Sequence, residues 1–408
     1  MSNTFKTLAD GDIVRRALAI FHNKLTFIRT INRQYDNRFA RDGAKNGGSL
    51  LIRNPNEFEV RDGAVMQVKD ITEDTQTLTV ATQKGVDLNI SDIEYTMSIE
   101  DFEERILSPA MSKLAATVEY TVLAAVYKNV FNLTGTPATT PASLAAILAA
   151  GARLSQNLAP LSDRNLLLDS NAMVGCVNPI ATYFHKASEV EKAFAEGYIG
   201  HAAGFKWWES NMIPNHTNGA RVDDSHIMNT DTGITSGTAT LTTTGQTITT
   251  DAFLAGDIIT VGDIYAINRE TKQRYSHLQQ FVVTADKTCD ATDVLAVSPT
   301  PVTSGAKQNI SVVSAGASKA VVSVAAGGSG TASAVYPQNL AYHRDAFTFV
   351  TADLHKEPGQ RMERAVIDGI SMRVWRGADI VNDTFPMRLD VLFGYKTLRP
   401  EWAVRVRG

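Results

Sequence analysis

The fold of this chain is decided by the stretch at 102–119, which reads FEERILSPAMSKLAATVE. Ser108 followed by Pro109 predicts a helix start, because serine caps the first backbone amides and proline fits the first helical position. Apolar and small residues then recur with helical spacing as far as Phe131. A helix of this length runs roughly 35 Å at 1.5 Å per residue, enough to form the backbone of a domain. A shorter helical stretch is predicted just before it, from Ser98.

Residues 1–46 form a basic arm with an amphipathic helix. Apolar residues recur every three or four positions from Ile13 to Ile28, which predicts one apolar helix face in need of a partner surface. We expect assembly with other subunits to cover this face. Through Lys45 the arm carries nine Lys and Arg residues against four Asp residues, an excess of five positive charges. Such an excess is typical of a solvated helix face, and it also suits acidic partners or enclosed nucleic acid. The candidate assembly contacts in the arm are Arg15, Arg16, Arg29 and Arg33.

Residues 47–97 have the sequence pattern of an extended β-arm. Asp62-Gly63 and Lys84-Gly85 act as turn signals between short alternating runs at 49–53, 57–60, 76–82 and 86–90. The runs contain few large aromatic residues, so we expect the arm to project and to bury its apolar face against a neighbouring subunit. Phe58 and Val60 are its candidate assembly contacts.

Residues 141–218 alternate between helix and strand patterns, which predicts an α/β layer. An alanine-rich helix at 143–158 precedes a buried strand at 165–169. Further helices are expected from Ser170 to near Gly175, from Asn178 to near His185 and at 189–196. A glycine-interrupted segment then carries Trp207 and Trp208. We interpret this pair as part of the core or as a subunit contact, with sugar or base binding as the alternative.

Residues 219–334 have a different composition, with eleven threonines among the twenty-one residues at 230–250. Threonine is β-branched and disfavours helix, so this region predicts a small all-β domain inserted into a host domain. Its strand signals lie at 258–261, 280–284, 294–297, 309–313 and 320–324. The chain then returns to mixed structure, with strands expected at 346–351, 365–375, 389–396 and 403–406.

Length and composition exclude several classes of protein. A chain of 408 residues predicts two or three structural units. Its net charge of -4 argues against a protein that coats nucleic acid by bulk charge, and its two cysteines cannot form a disulfide scaffold. The amino terminus has no apolar segment typical of a secretory signal, and the longest apolar runs are far below the ~18 residues of a membrane span. We therefore expect a soluble protein made in the cytoplasm.

The sequence contains none of the residue patterns that carry catalysis or metal binding. It has no His-Glu-x-x-His, Cys-x-x-Cys or Gly-x-Ser-x-Gly motif. The glycine-rich segment at 327–331 lacks the lysine of a phosphate-binding loop, so we interpret it as a linker. No catalytic, cofactor-binding or metal-binding residue is predicted, and we do not expect an enzyme.

The order of these parts resembles that of tailed-bacteriophage major capsid proteins. The stretch at 102–119 is similar to the entry of the spine helix in coat proteins of the short-tailed Salmonella-phage type. Gly48 to Gly63 looks like the extended β-loop of those coat proteins. The glycine-rich segment from Gly197 to Pro214 resembles the crossing in their central domain. The threonine-rich region matches the β insertion domain that this subgroup carries.

The resemblance implies an α+β protein with the Hong Kong 97-type capsid fold and an added all-β insertion domain. Its domains would be an amino-terminal arm at 1–46, an extended β-loop at 47–97 and a peripheral domain with the spine helix at 98–140 and part of 341–408. A central α/β domain would take 141–218 and part of 335–400, with the insertion at 219–334.

The resemblance also implies a structural function. Many copies would form hexamers and pentamers of an icosahedral shell around double-stranded DNA, without sequence-specific binding and without a membrane. A scaffolding protein, a portal and a decoration protein are the other expected partners, and the protein would be found in the virion after assembly in the host cytoplasm. An encapsulin-like compartment shell and a carbohydrate-binding or adhesive protein are the alternatives.

Overall fold

The structure, a computed structural model, describes residues 10–33, 49–61, 63–66, 68, 73–91, 106–135, 139–181, 200–219, 227–228, 234–244, 252–313, 321–323, 335–354, 361–377 and 384–408. The predicted helix start at Ser98, the predicted helix at 189–196 and the glycine-rich segment at 327–331 lie outside these residues. The chain divides into two compact units. Unit 1 comprises Met1–Arg53, Thr75–Val122 and Phe347–Leu398, and unit 2 comprises Asn54–Asp74, Leu123–Ala346 and Arg399–Gly408.

The secondary structure of the described residues is mixed, with more strand than helix. The α-helices are α1 (Asp10–Lys24), α2 (Phe27–Thr30), α3 (Ser108–Val126), α4 (Leu144–Gln156) and α5 (Ser170–Ala181). The strands are β1 (Ser49–Arg53), β2 (Thr75–Thr79), β3 (Thr82–Ser91), β4 (Asn132–Thr134), β5 (Arg164–Leu168), β6 (His201–Ala202), β7 (Phe205–Glu209), β8 (Asn215–Thr217), β9 (Ile227–Met228), β10 (Thr240–Thr244), β11 (Ala252–Phe253), β12 (Ile258–Ile267), β13 (Arg274–Val283), β14 (Lys287–Thr288), β15 (Thr292–Ser298), β16 (Ile310–Val312), β17 (Val321–Ser323), β18 (Val335–Pro337), β19 (Asn339–His343), β20 (Phe347–Ala352), β21 (Arg361–Ile367), β22 (Ile370–Arg376), β23 (Thr384–Thr397) and β24 (Ala403–Val406).

Unit 1 is built on a five-stranded antiparallel sheet in the order β20, β23, β22, β21, with β3 also paired to β23. The apolar face of α1 packs on β21 and β22, and Val14, Leu18 and Phe21 have no exposed surface. Asn32 extends the contact, because its carbonyl accepts a hydrogen bond from the backbone N–H of Phe349 at 3.0 Å. The amphipathic helix of the arm is thus present as predicted. The expectation that its apolar face needs another subunit is wrong, because its own unit covers that face.

One strand and one turn expected from sequence are replaced by other structures in unit 1. The run at 365–375 is a hairpin, because Asp368 and Gly369 both have positive φ (50° and 76°), as a two-residue turn requires. Gly85 lies inside β3, opposite Asp390. A Cβ atom on Gly85 would lie 2.5 Å from Oδ1 of Asp390, so glycine permits a close approach here and does not form a turn. The strand expected at 86–90 therefore belongs to this sheet and not to a projecting arm.

The predicted spine helix is α3, and it begins at Ser108 as expected. Its buried face includes Met111, Val118 and Val122. The helix ends at Val126 and not at Phe131, because a 3-10 turn at Tyr127–Asn129 leads into β4. Its nineteen residues correspond to about 28 Å. The residues after the turn form a strand because β4 pairs in parallel with β24.

The α/β part of unit 2 is a six-stranded sheet in the order β4, β24, β19, β5, β7, β6. β5 is buried along its whole length, as its apolar run predicts. The side-chain oxygen of Ser143 caps α4 by accepting a hydrogen bond from the backbone N–H of Ala146 at 3.3 Å. α5 is one helix where two were predicted. Gly175 lies inside it, and a Cβ atom there would lie 2.9 Å from the carbonyl oxygen of Pro141, so this glycine marks close packing and not a helix end.

The threonine-rich region contributes a seven-stranded antiparallel sheet to unit 2. Its order is β16, β12, β13, β15, β10, β9, and β17 also pairs with β12. Leu241, Ile259, Phe281 and Leu295 have no exposed surface and belong to a core made within this region. The all-β character of the region is therefore as predicted.

A small junction joins this sheet to the α/β part of unit 2. Ile258 and Val282 pack with Phe131 and Leu133 in one buried cluster. The side chain of Gln280 accepts a hydrogen bond from the backbone N–H of Leu133 at 2.7 Å and donates one to the carbonyl of Leu133 at 3.0 Å. The two sheets are therefore linked by both apolar and polar contacts.

Candidate assembly surface

The extended β-arm begins with a hairpin whose inner face is already covered. β1 and β2 pair antiparallel in unit 1. Ile52 and Leu78 are buried against Val350 and Leu398 of the same unit. The prediction that this hairpin buries its apolar face on a neighbouring subunit is therefore wrong for the inner face, because β20 and the residues after β23 supply the packing.

The outer side of β1 and the segment that connects β1 to β2 carry a set of exposed apolar side chains. Phe58 is 68% exposed and Val60 is 95% exposed. Four more large apolar side chains between residues 51 and 68 are more than 60% exposed: Leu51, Val65, Met66 and Val68. Scattered apolar residues are normal on a surface, but so many in one short segment indicate a contact site.

Hydrogen bonds to backbone carbonyls hold two described parts of residues 54–74, which we call the extended loop. The backbone N–H of Asn54 donates to the carbonyl of Asp74 at 2.9 Å and closes the base. Near the tip, the Arg61 guanidinium donates to the carbonyl of Gly63 and, at 3.0 Å, to that of Val65. The exposed apolar side chains therefore lie on a loop whose backbone is fixed in part by hydrogen bonds.

The four arginines predicted as contacts fall into two groups. Arg15, Arg16 and Arg29 are exposed on α1 and α2, as a contact requires. Arg33 has a side chain only 13% exposed, and its Nη2 atom lies 2.6 Å from Oδ2 of Asp368. Partial burial acts to raise the pKa of Asp368, but the hydrogen bond from His22 and the charge of Arg33 lower it overall. Arg33 is therefore engaged within unit 1, which corrects its prediction as a free contact.

A buried carboxylate on α3 holds the short helix that carries Arg29. Oε2 of Glu119 accepts a hydrogen bond from the backbone N–H of Thr26 at 2.8 Å, and Oε1 accepts one from Phe27 at 3.0 Å. These groups lie at the start of α2, where backbone amides have no partner within the helix. Glu119 is only 2% exposed. Its role is not visible in the sequence, since the two helices are about ninety residues apart.

The two tryptophans have different environments on β7. Trp207 has no exposed surface, belongs to the core of the six-stranded sheet and donates from Nε1 to the carbonyl of Ala202 at 2.9 Å. The core interpretation is correct for Trp207. Its prediction as an assembly contact and its alternative as a sugar-binding platform are wrong, because it has no surface to offer. Trp208 is half-buried and donates from Nε1 to Oδ1 of Asn165 at 3.0 Å.

Unit 2 also contains a buried chain of titratable groups. Nε2 of His216 lies 2.9 Å from Oδ1 of Asp257, and Nδ1 of His216 lies 3.2 Å from the hydroxyl oxygen of Tyr127. Burial lowers the pKa of His216, although the hydrogen bond to Asp257 opposes this shift. The neutral ring therefore donates to Asp257 through Nε2 and accepts from Tyr127 at Nδ1.

Two buried arginines on β24 lie beside this chain of groups. Nη1 of Arg405 donates to the carbonyl of Gly256 at 2.7 Å, and the guanidinium of Arg407 stacks 3.4 Å above the ring of Tyr336. Burial and, to a smaller extent, the charge of Arg407 lower the pKa of Arg405 to about 9. Arg405 is 1% exposed and Arg407 2% exposed, so we assign the cluster to structure and not to catalysis. The only sequence signal is the alternation Val-Arg-Val-Arg at 404–407.

The described part of the chain offers no grouping of three or more His, Cys, Asp or Glu side chains able to hold a metal ion. Cys176 and Cys289 are buried and are not joined by a disulfide, and burial raises the pKa of Cys176 to about 11. Among the helices that the structure describes, none is long and apolar enough to cross a membrane.

Comparison with known proteins gives a family match. The model of the P22 coat protein family (gene protein 5) matches residues 67–408. A solved structure from Mycobacterium phage Che8 is 14% identical over 93% of this chain and 90% of that chain, with a TM-score of 0.49. The capsid of Cyanophage P-SCSP1u is 11% identical over 88% and 83%, with a TM-score of 0.44. The mature capsid of bacteriophage PhiM1 is 12% identical over 88% and 82%, with a TM-score of 0.41. No curated protein matches the chain.

The family match covers most of the chain and defines its class: it is a bacteriophage major capsid protein, a structural component of the virion whose copies form an icosahedral shell. More particularly, the chain belongs to the P22 coat protein family. The resemblance noted from sequence is thereby confirmed, and this class takes the place of the compartment and adhesive alternatives.

Proposed function

We propose that the chain assembles as hexamers and pentamers and that the shell encloses double-stranded DNA. The observation that supports this most is the group of apolar side chains on the extended loop, from 68% exposed at Phe58 to 95% exposed at Val60. Removing apolar surface from water contributes about 25 cal/mol per Å², so covering these side chains with a second copy stabilises assembly. A repeated contact between identical subunits closes a symmetric ring.

The proposal includes partners beyond the subunit itself. Arg15, Arg16 and Arg29 are exposed and belong to an arm with an excess of five positive charges, which suits an acidic scaffolding protein. The whole chain has a net charge of -4, which favours a weakly charged lining and DNA held without sequence-specific contacts. A portal and a decoration protein complete the expected set, and assembly would take place in the host cytoplasm.

The domain divisions expected from the resemblance are part of this proposal. α3 is the candidate spine of the peripheral domain, and the six-stranded sheet with α4 and α5 is the candidate central domain. The separate core of the seven-stranded sheet supports an inserted β domain at 219–334. Trp208, which is half-buried, stays a predicted contact of the central domain.

Electron microscopy of purified protein and of one double variant tests the proposal. We expect the wild-type chain to form closed shells, and Phe58→Ser with Val60→Ser to leave soluble, folded subunits or capsomers. Val313→Ser is the matched control, because Val313 is 54% exposed on the β16 side of unit 2. Normal shells from the double variant would contradict the assignment of the loop as the assembly surface. The absence of shells from the wild-type chain would contradict the proposed function.

A further inference from the structure

The extended loop is acidic and lies against basic turns of the seven-stranded sheet. Residues 54–74 contain six acidic and two basic residues. We call the two segments that face them, 268–272 between β12 and β13 and 299–309 between β15 and β16, the receiving turns. Together these contain three basic residues and one acidic residue. Both parts belong to unit 2, and their net charges have opposite sign.

The contact consists of specific ion pairs. The Lys307 ammonium pairs with the Asp74 carboxylate at the base of the loop. Nη1 of Arg269 lies 3.8 Å from Oε1 of Glu57 and 3.6 Å from Oε1 of Glu401. The pairs are partly exposed, so each is weak and is screened by salt. Two weak pairs on one short segment nevertheless restrict it more than either pair alone.

The receiving turns are held rigidly, which lets weak pairs act as a positioning contact. Oδ1 of Asn268 accepts hydrogen bonds from the backbone N–H groups of Glu270 at 2.9 Å and Thr271 at 3.1 Å. Nζ of Lys272 donates to the carbonyls of Ala306 at 2.6 Å and Gln308 at 3.3 Å and so joins one turn to the other. The backbone that carries Arg269 and Lys307 is thus held by hydrogen bonds that do not involve the loop.

We propose that the receiving turns are a docking surface for the acidic extended loop of the same chain, which holds the loop in position for assembly. The ion pairs lie at Glu57 and Asp74, whereas Phe58 and Val60 stay exposed, so docking leaves the apolar side chains available. The threonine-rich region, which contains the receiving turns, then positions the extended loop in addition to forming its own core. The assembly part of this inference rests on the proposed function.

Hydrogen exchange of the peptide at 54–68, measured on the full chain at low salt, tests the docking. We expect Lys307→Glu to speed exchange about fivefold, because it replaces an attraction by a repulsion. The exchanged pair Asp74→Lys with Lys307→Glu should restore wild-type exchange. Lys206→Glu is the matched control, since it breaks the exposed pair of Lys206 with Asp163, 3.0 Å apart, elsewhere in unit 2. Exchange in Lys307→Glu no faster than in this control, or no restoration in the exchanged pair, overturns the docking.

A second measurement separates docking from function. Shell formation by Lys307→Glu, followed by light scattering, should be several-fold slower than that of the wild-type chain and of Lys206→Glu, and the exchanged pair should recover it. Faster hydrogen exchange with normal shell formation would overturn the claim that docking serves assembly. A wild-type chain that forms no shells would instead contradict the proposed function and leave the exchange result intact.

Discussion

A single buried carboxylate, Glu119, orders the amino-terminal arm. Its two oxygens accept hydrogen bonds from the first backbone amides of α2, and it is nearly fully buried. We expect Glu119→Gln to lower the free energy of unfolding by about 1–3 kcal/mol, because the amide replaces one acceptor by a donor that faces a backbone N–H. Urea unfolding measures this change. Glu270→Gln, at an exposed position, is the control, and an equal effect in both variants would contradict the capping role.

Acid sensitivity is expected from histidines held neutral by burial. His277 stacks on Tyr275, and burial with the nearby charge of Arg153 lowers its pKa to about 4. The unfolded chain takes up a proton near pH 6.5 and the folded chain does not, so stability is complete above about pH 6.5 and is lost as the pH falls toward 4. Because the ring is partly exposed, we expect a loss of about 1–2 kcal/mol.

His277→Gln should make the unfolding free energy less dependent on pH in this window. Thermal unfolding between pH 7 and pH 4 measures the slope, with His201→Gln, an exposed position, as the control. Equal slopes for His277→Gln and the wild-type chain would contradict this assignment. Burial also lowers the pKa of His216 and His343, so part of the slope remains in the variant.

The identity of a residue predicts its local backbone geometry better than it predicts which distant residues it contacts. Ser143 was expected to start a helix, and it does cap α4, because a cap depends on residues three positions apart. Gly85 and Gly175 were interpreted as turn or helix-end signals, but each permits a close approach by a residue far away in sequence or by a neighbouring segment. Arg33 is predicted as a surface contact because nothing local indicates its ion pair with Asp368, which is distant in sequence. For Trp207 the sequence leaves a core position and a subunit contact open, because the side chains that pack around it come from distant segments.

At the level of elements, α1 is the sharpest test of the arm. Its apolar face is buried on β21 and β22, so Phe21→Ala should lower the free energy of unfolding of the isolated subunit by about 3–5 kcal/mol. A free arm would show no such loss before assembly. Ala19→Ser, at an exposed position of the same helix, should change stability little. Subunit unfolding in urea distinguishes the two cases.

Helices and strands with a clear apolar periodicity can be predicted from the sequence, but the elements with which they pair cannot. The helices α1, α3 and α4 and the strands of the threonine-rich region follow from apolar spacing and β-branched residues. Helical spacing continues to Phe131, but α3 ends at Val126 because the pairing of β4 with β24 overrides that spacing. β3 was assigned to a projecting arm because nothing local indicates its pairing with β23, about three hundred residues away. Phe58 and Val60 are predicted contacts because their segment resembles a known loop, and the structure shows that both side chains are exposed.

On the scale of the molecule, the seven-stranded sheet has the core of an independent domain. We expect residues 219–334 expressed alone to give dispersed amide signals, since Phe281 and its neighbours form a core within the region. Loss of Phe131 and Leu133 uncovers Ile258 and Val282, so the isolated domain should unfold at a lower temperature than in the whole chain. A disordered spectrum would show that the region depends on the rest of unit 2.

The placement of β24 has a consequence for the order of events during synthesis. β24 lies between β4 and β19 in the six-stranded sheet, and β4 pairs with it in parallel. The ribosome makes β4 about 270 residues before β24, so the nascent chain carries β4 without this neighbour while most of unit 2 is translated. Pairing across such a distance is slow to form and leaves apolar surface uncovered meanwhile. Completion of the six-stranded sheet of unit 2 must therefore await translation through Val406.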